Sequence, residues 1–163
     1  MIVIADSSPL RYLVLIEEIE VVSRLFGRIL IPPAVIDELT RPKTPLPVRL
    51  WIESLPEWCT VRSPKLPMPH FPLALGSGEC EAIALAEELG ADGLLADDYA
   101  ARVESASRGI LVVGTLAILD LASEEGLLNL PSAMQKLMST NFRAHRELVE
   151  FYLERDRVRR KTD

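Results

Sequence analysis

The chain has only two cysteines, Cys59 and Cys80, 21 residues apart, with no CxxC pair and no histidine-rich spacing near them. That pattern supports neither a structural zinc site nor a disulfide framework, so both are read as ordinary thiols. No apolar run approaches the length needed to cross a bilayer, and the opening MIVIADSSPL leads straight into a strand-like segment without a basic leader. The chain is therefore expected to be soluble and cytoplasmic, with no membrane partner. Internal repeats, low-complexity blocks and linkers are also missing. The one glycine pair, GSG at 76–78, lacks a strand immediately before it and the full glycine spacing, so it does not make a dinucleotide site. Only two histidines occur; His70 lies in a proline-rich stretch and His145 near the tail, and both are read as surface residues.

Excess positive charge is lacking too. The net charge is −6, which argues against a polyanionic partner unless the basic residues are concentrated. They are partly so. From Phe142 to Asp163 seven basic residues face five acidic ones, leaving +2 there and −8 over the rest. The segment holding Arg155, Arg157, Arg159, Arg160 and Lys161 reads either as a solvated, frayed helix end or as a weak nucleic-acid contact.

What is present is a core and a rhythm. With 163 residues and 48% hydrophobic content, one globular domain over 1–163 is expected, ending in a basic helical tail from about residue 142. Residues 2–5 form a buried strand, with a helix from Pro9 to about Ile19, capped by Ser8. Apolar residues cover most of that helix, which hints at a subunit interface as well as a core contact. Strand RILI follows, then a helix opening at Pro33, a helix over 47–53 and strand WCTVR, with Trp51 and Trp58 flanking a turn as packing residues. Four prolines between Ser63 and Leu75 predict a loop that could serve as a flap over a site. The second half repeats the alternation: helix 78–89, strand GLLA, helix 99–107, strand ILVV, helix 115–124 closed by Gly126, then helices near 132–140 and 143–158. Such alternation predicts a mainly parallel sheet of about five short strands with helices on both faces, a three-layer α/β/α fold.

Five carboxylates stand where strands end or helices begin: Asp6, Glu38, Glu79, Asp97 and Asp98. In a parallel α/β fold these positions converge on the carboxyl edge of the sheet. Each has a plain structural reading. Asp6 can support the turn into SSPL, Asp97 or Asp98 can cap the next helix, and Glu79 suits a first helical turn. Glu38 neighbours Val35 and Leu39 and can sit at a surface edge. Glu79 shares a helix face with Ile83 and Ala86, so it is expected to point inward, whereas Glu81 is expected to face solvent. An inward, clustered set of carboxylates without basic partners needs a divalent cation, and oxygen-only ligands point to Mg²⁺ or Mn²⁺.

These segments resemble the PIN-domain ribonucleases, in particular the short VapC-like branch. IVIADSSPL is similar to the family's first strand and metal-binding Asp, here Asp6, followed by a supporting hydroxyl, Ser7 or Ser8. LFGRILIPPAVIDELT resembles the second strand and helix, which places the next acid at Glu38. LGSGECEAIALAEELGADGLLADDYAAR resembles the segment carrying the remaining acids, Glu79 and Asp97 with Asp98. VVGTLAILDLASEEGLL resembles the branch's Gly-Thr-Leu strand-to-helix motif. Two departures stand out: Glu79 replaces the commoner Asp, and two acids follow the fourth strand in place of one.

The resemblance implies a metal-dependent endoribonuclease. Asp6, Glu38 and Asp97 or Asp98 would hold Mg²⁺ or Mn²⁺, Glu79 would orient metal or water, and Ser8 would steady Asp6. It further implies the toxin of a type II toxin-antitoxin pair, a homodimer, and a small antitoxin covering the acidic groove. Two other readings stay open: a PIN-like nucleic-acid or interaction module without turnover, and an aspartate-based phosphohydrolase. The latter wants a second Asp two residues after the first, where this chain has Ser8.

Overall fold

A computed structural model describes residues 1–162. Five short strands form an entirely parallel sheet: β1 (Val3–Ala5), β2 (Ile29–Ile31), β3 (Cys59–Val61), β4 (Gly93–Leu95) and β5 (Val112–Val113). Their spatial order is β3-β2-β1-β4-β5. The chain builds outward from β1 on one side, returns, and builds outward on the other. The direction of winding thus reverses between β1 and β4, which pair from Val3 against Gly93 to Ala5 against Leu95. A crevice opens at such a reversal beyond the carboxyl ends of the strands.

The central strands are apolar throughout because both sheet faces are covered. Along β1 the side chains alternate: Val3 and Ala5 join one core cluster with Leu95, while Ile4 joins another with Leu94 and Ala96. The first and larger core is roofed by α1 (Ser7–Leu15), α2 (Val21–Phe26), α3 (Pro33–Leu39), α4 (Leu46–Glu53), α7 (Thr115–Glu124) and α8 (Leu130–Met138). The second lies beneath α5 (Ser77–Leu89) and α6 (Tyr99–Ser107), with Ala82, Ile83, Leu85, Ala86 and Ala101 buried. The expected three-layer arrangement is the one observed.

Helix α1 is shorter than its periodicity suggests. It begins at Ser7, with Asp6 and not Ser8 in the capping position, and ends at Leu15. The stop comes from Glu17, which adopts φ 62° while the Glu18 N–H closes onto the Leu13 carbonyl. No glycine marks that left-handed residue, so nothing in the sequence announced it. Within the chain α1 touches α3, α4 and α7, and the half-buried Tyr12, Val14 and Leu15 pack against the same core as Leu10 and Leu13.

The proline-rich connection, residues 62–76, is irregular as expected but is not a flap over the carboxylates. Its Lys65 and Leu66 N–H groups donate to Glu88 Oε2 (2.8 and 3.0 Å) at the far end of α5, and Phe71 stacks under the Arg108 guanidinium at 4.6 Å. Phe71 and Leu75 close the second core. The loop is a strap along α5, drawn there by apolar burial and by a carboxylate that satisfies two of its backbone donors. Trp51 and Trp58 pack on each other (centroids 6.1 Å apart) and on the first core.

The basic tail is α9 (Arg146–Thr162), docked along α7 instead of frayed. Its inner face carries Asp156, buried and accepting from the Ser123 hydroxyl. Arg159 reaches the buried Asp120 of α7 at 2.6 Å, Arg155 reaches the same carboxylate at 3.4 Å, and Arg160 pairs with Asp156 at 2.9 Å. Arg157 forks onto Glu154. These four guanidiniums are neutralised within the molecule, and a buried carboxylate demands such partners. The basic end also lies along the second half of α7, whereas the carboxylate crevice adjoins the first residue of that helix. Arg155, Arg159 and Arg160 thus engage the buried carboxylates of α7 and α9, Arg157 pairs with the exposed Glu154 of its own helix, and Lys161, in none of these pairs, lies at the end of the same helix. No helix among the described residues is long and apolar enough to cross a membrane.

Candidate active site

Asp6 follows β1 directly and its backbone N–H donates to the Leu95 carbonyl of β4 (2.9 Å), which pins it into the crevice. The side chain is 1% exposed, and its Oδ1 has no hydrogen-bond partner. Burial is the main force raising its pKa from 3.8 to about 7, the negative charge of Glu79 adds to it, the Ser7 N–H opposes it, and Glu38 and Asp97 add smaller pushes. Glu79 is raised as well, by burial first, then by Glu38, against the opposing N–H of Gly76, with Asp98 adding further. All five sequence-nominated carboxylates therefore feel one another, although they come from four separate segments.

Each is held by a different device. Asp97 is the most constrained: Thr115 donates its N–H to Oδ1 (2.7 Å) and its hydroxyl to Oδ2 (2.6 Å), and the Ser8 hydroxyl donates to the same Oδ2 (2.7 Å). Ser8 was expected to steady Asp6 or to cap α1. It does neither, because the second residue of α1 projects across the strand gap toward β4. Ser7 supports Asp6 through its backbone N–H. Asp98 is the cap of α6, accepting from the Ala101 N–H (3.0 Å), with its other oxygen left over. The two adjacent acids thus have distinct roles: Asp97 is built into the crevice wall, and Asp98 stands at its rim.

Glu38, in the last turn of α3, accepts from the Gly78 N–H at the start of α5 (3.0 Å). A Cβ at position 78 would lie 2.6 Å from both Glu38 carboxylate oxygens, so the missing side chain lets that carboxylate reach the start of α5, and any larger residue would displace it. Glu79, at the third position of α5, reaches back to the Gly76 N–H (2.7 Å), half of a capping box. GSG at 76–78 thus serves as a helix start that positions two carboxylates. Glu81 departs from expectation. It is half-buried, and its Oε2 accepts from the Ala34 N–H (2.8 Å), satisfying an orphan donor in the first turn of α3.

Together Asp6, Glu79, Asp97 and Asp98 line a cleft of about 370 Å³. Its opposite wall, unforeseen from the sequence, is the connection between α8 and α9: Asn141, whose Oδ1 accepts from the Tyr12 hydroxyl (2.9 Å), Phe142, edge-on to the Tyr12 ring, and Arg143. His70 and His145 are exposed, as expected. Cys59 is buried and Cys80 half-buried, both as free thiols.

The donor chemistry fits a hard dication. The set offers oxygen only and includes a buried orphan oxygen, and at Asp6 and Glu79 burial first, then the charge of neighbouring carboxylates, raises the pKa in a way a cation would relieve. No three acidic, His or Cys side chains among the described residues are gathered tightly enough to cage an ion unaided. Mg²⁺ does not ask for that: it is commonly bound through one or two carboxylates while retaining water.

Comparison with known proteins agrees with this architecture. A solved structure of a PilT N-terminus domain protein from the hyperthermophilic archaeon Sulfolobus solfataricus P2 superposes with a TM-score of 0.51 over 89% of this chain and 100% of its own, at 15% identity. That likeness concerns the fold. No curated protein sequence matches the chain. A family profile described as PIN domain matches residues 2–157, from the first strand into the last helix and across every carboxylate of the cleft. This protein therefore belongs to the PIN-domain family, a family of nucleases in general.

Proposed function

We propose that the chain is a metal-dependent endoribonuclease, hydrolysing RNA phosphodiester bonds in the carboxylate cleft with Mg²⁺ or Mn²⁺. The observation that carries this reading is Asp6: a carboxyl 1% exposed, with an unpaired oxygen and other carboxylates around it, and among the described residues no cationic side chain paired to it. Burying such a group without a partner costs several kcal/mol, roughly, unless a ligand supplies one. Asp6 would hold the ion directly, with Asp97, Asp98 and Glu38 as the other candidate holders. When bound, a dication supplies charge neutralisation at the phosphate and a water acidified enough to attack it.

The chain's own groups do the rest. Ser8 and Thr115 fix the Asp97 carboxylate in one orientation, so no reorganisation is needed at the moment of reaction. Glu79, with its pKa raised and one oxygen free of Gly76, is suited to accept a proton from the attacking water. The cleft's carboxylates repel the scissile phosphate in the absence of the ion, so metal is needed to seat that phosphate for attack, not for the strand to bind beside the cleft.

Cleavage of a labelled single-stranded RNA tests the reading. Activity is expected with Mg²⁺ or Mn²⁺, none with chelator, and a fall of about 100-fold or more in Asp6→Asn. Undiminished cleavage by Asp6→Asn would refute it. The finer role, toxin of a type II pair acting as a homodimer and inhibited by a small antitoxin over the acidic groove, rests on the resemblance to VapC-like proteins. Electrostatics favours a basic antitoxin side chain entering the cleft. Growth arrest on expression, relieved by the product of an adjacent short reading frame, is the expected result.

A further inference from the structure

Beside the carboxylate cleft, across Asp97, lies a second concavity of about 350 Å³. Asp97, Phe142 and Arg143 line both, so the two form one furrow with a change of character along it. The first part is acidic. The second has an apolar floor that includes Val112, Leu116 and Tyr152, with Arg102, Arg143 and His145 at its rim.

Two further observations bear on what this second part accepts. The guanidiniums of Arg102 and Arg143 are in no ion pair among the described residues, in contrast to those of Arg155, Arg157, Arg159 and Arg160. Their charge is available to a ligand. Gly114, the residue between β5 and α7, has φ −84° and ψ 170°, a conformation open to any residue. Its lack of a side chain has a spatial consequence: a Cβ there would sit 3.1 Å from both Arg102 Nη1 and Asp97 Oδ1. Glycine lets the Arg102 guanidinium and the Asp97 carboxylate come close to the backbone where the two parts of the furrow meet.

We propose that this second half is a docking subsite for one unpaired nucleotide adjacent to the cleaved bond, with Arg102 and Arg143 holding backbone phosphate and the apolar floor taking the base. The inference rests on the nuclease reading for the role of the neighbouring acids. Its size is that of a small-molecule pocket, and a base can enter it only from a strand whose bases are free to splay out. Guanidiniums on the far side of Asp97 also answer an electrostatic need, because a net-acidic protein must attract a polyanion locally. Arg102 and Arg143 are positioning residues, not catalytic ones.

Fluorescence anisotropy of an end-labelled single-stranded RNA 12-mer, with the full chain in chelator so that no turnover occurs, tests the proposal. Arg102→Ala and Arg143→Ala are each expected to weaken binding about tenfold and to flatten its salt dependence by about one phosphate contact. Gly114→Ala is expected to weaken the single strand similarly, while Arg157→Ala, whose guanidinium is held by Glu154, leaves it unchanged. Cleavage with Mn²⁺ should show the arginine effects in KM more than in kcat. Wild-type affinity in both arginine variants, with melting curves showing them folded, overturns the subsite even if the protein cleaves RNA. No binding of the single strand by the wild type overturns it too. Loss of binding in those variants, with no metal-dependent cleavage by the wild type, upholds the subsite and removes the nuclease reading.

Discussion

Replacing Asp6 by Asn should stabilise the metal-free protein, and the gain should grow with pH. In the folded state burial and the neighbouring carboxylates raise the Asp6 carboxyl from 3.8 to about 7. The sign follows from linkage. Below pH 3.8 the group is protonated in both folded and unfolded chains and costs nothing. As pH rises from about 4 to about 7 the unfolded chain ionises while the folded one holds its proton, so stability falls, and above 7 the loss is complete. The pKa difference corresponds to about 4 kcal/mol at pH 8 as an upper bound. Relaxation around the site and the imperfect fit of an amide reduce the expected gain to about 2 kcal/mol, or roughly 4–8 °C in Tm for a chain of this size. Parallel thermal melts of wild type and Asp6→Asn at pH 4, 6 and 8 in chelator provide the assay. The two curves should converge at pH 4 and separate by pH 8, and millimolar Mn²⁺ should raise the wild-type Tm at pH 8 while leaving the variant's unmoved. An Asp6→Asn protein less stable than wild type at pH 8, or a difference independent of pH, would refute the reasoning, because Asp6 would then be a satisfied structural group.

Three other substitutions separate the devices that hold the site from those that hold the fold. Ser8→Ala removes one of three hydrogen bonds to Asp97; kcat for RNA cleavage is expected to drop about tenfold or more, with Tm shifted by only a few degrees. Gly78→Ala places a methyl 2.6 Å from both Glu38 oxygens and evicts that carboxylate from the start of α5, so cleavage should fall sharply while circular dichroism keeps the wild-type helix content. Arg159→Ala leaves the buried Asp120 with only the 3.4 Å contact to Arg155; a loss of about 3 kcal/mol is expected in urea unfolding, with cleavage by the folded protein unchanged.

Some of this architecture is written locally in the sequence. Apolar runs of strand length, each followed by a helical period and a turn residue, suffice for the parallel sheet, and the acids at strand ends follow from it. Asp98 as a helix cap is legible for the same reason, since its partner Ala101 is three residues away. What was not legible depends on pairs far apart in the chain. Ser8 and Asp97 are 89 residues apart, Glu38 and Gly78 are 40 apart, and Ala34 and Glu81 are 47 apart. Periodicity assigns a residue to a face, but it does not name the element that will cover that face. Glu81 therefore read as solvent-facing, although α3 brings an orphan N–H to it. The docking of the tail was hidden for the same reason, because its arginines look free until α7 supplies Asp120.

The contrast between the two sets of buried acids argues for their different purposes. Asp120 and Asp156 are each 2% exposed, nearly as deeply buried as Asp6, yet arginines and a serine reach them across the α7–α9 contact and from the next turn of α9. The chain therefore has the means to neutralise an interior carboxylate and uses it where only stability is at stake. At the reversal of the sheet it does not: the nearest supports are Ser, Thr and backbone N–H groups, which orient carboxylates without cancelling their charge. Arg143, close enough to line the same cleft, forms no ion pair among the described residues. Charge left uncompensated beside an available cation is a cost to folding that binding can recover, and stability is the usual concession at a site preorganised for a ligand.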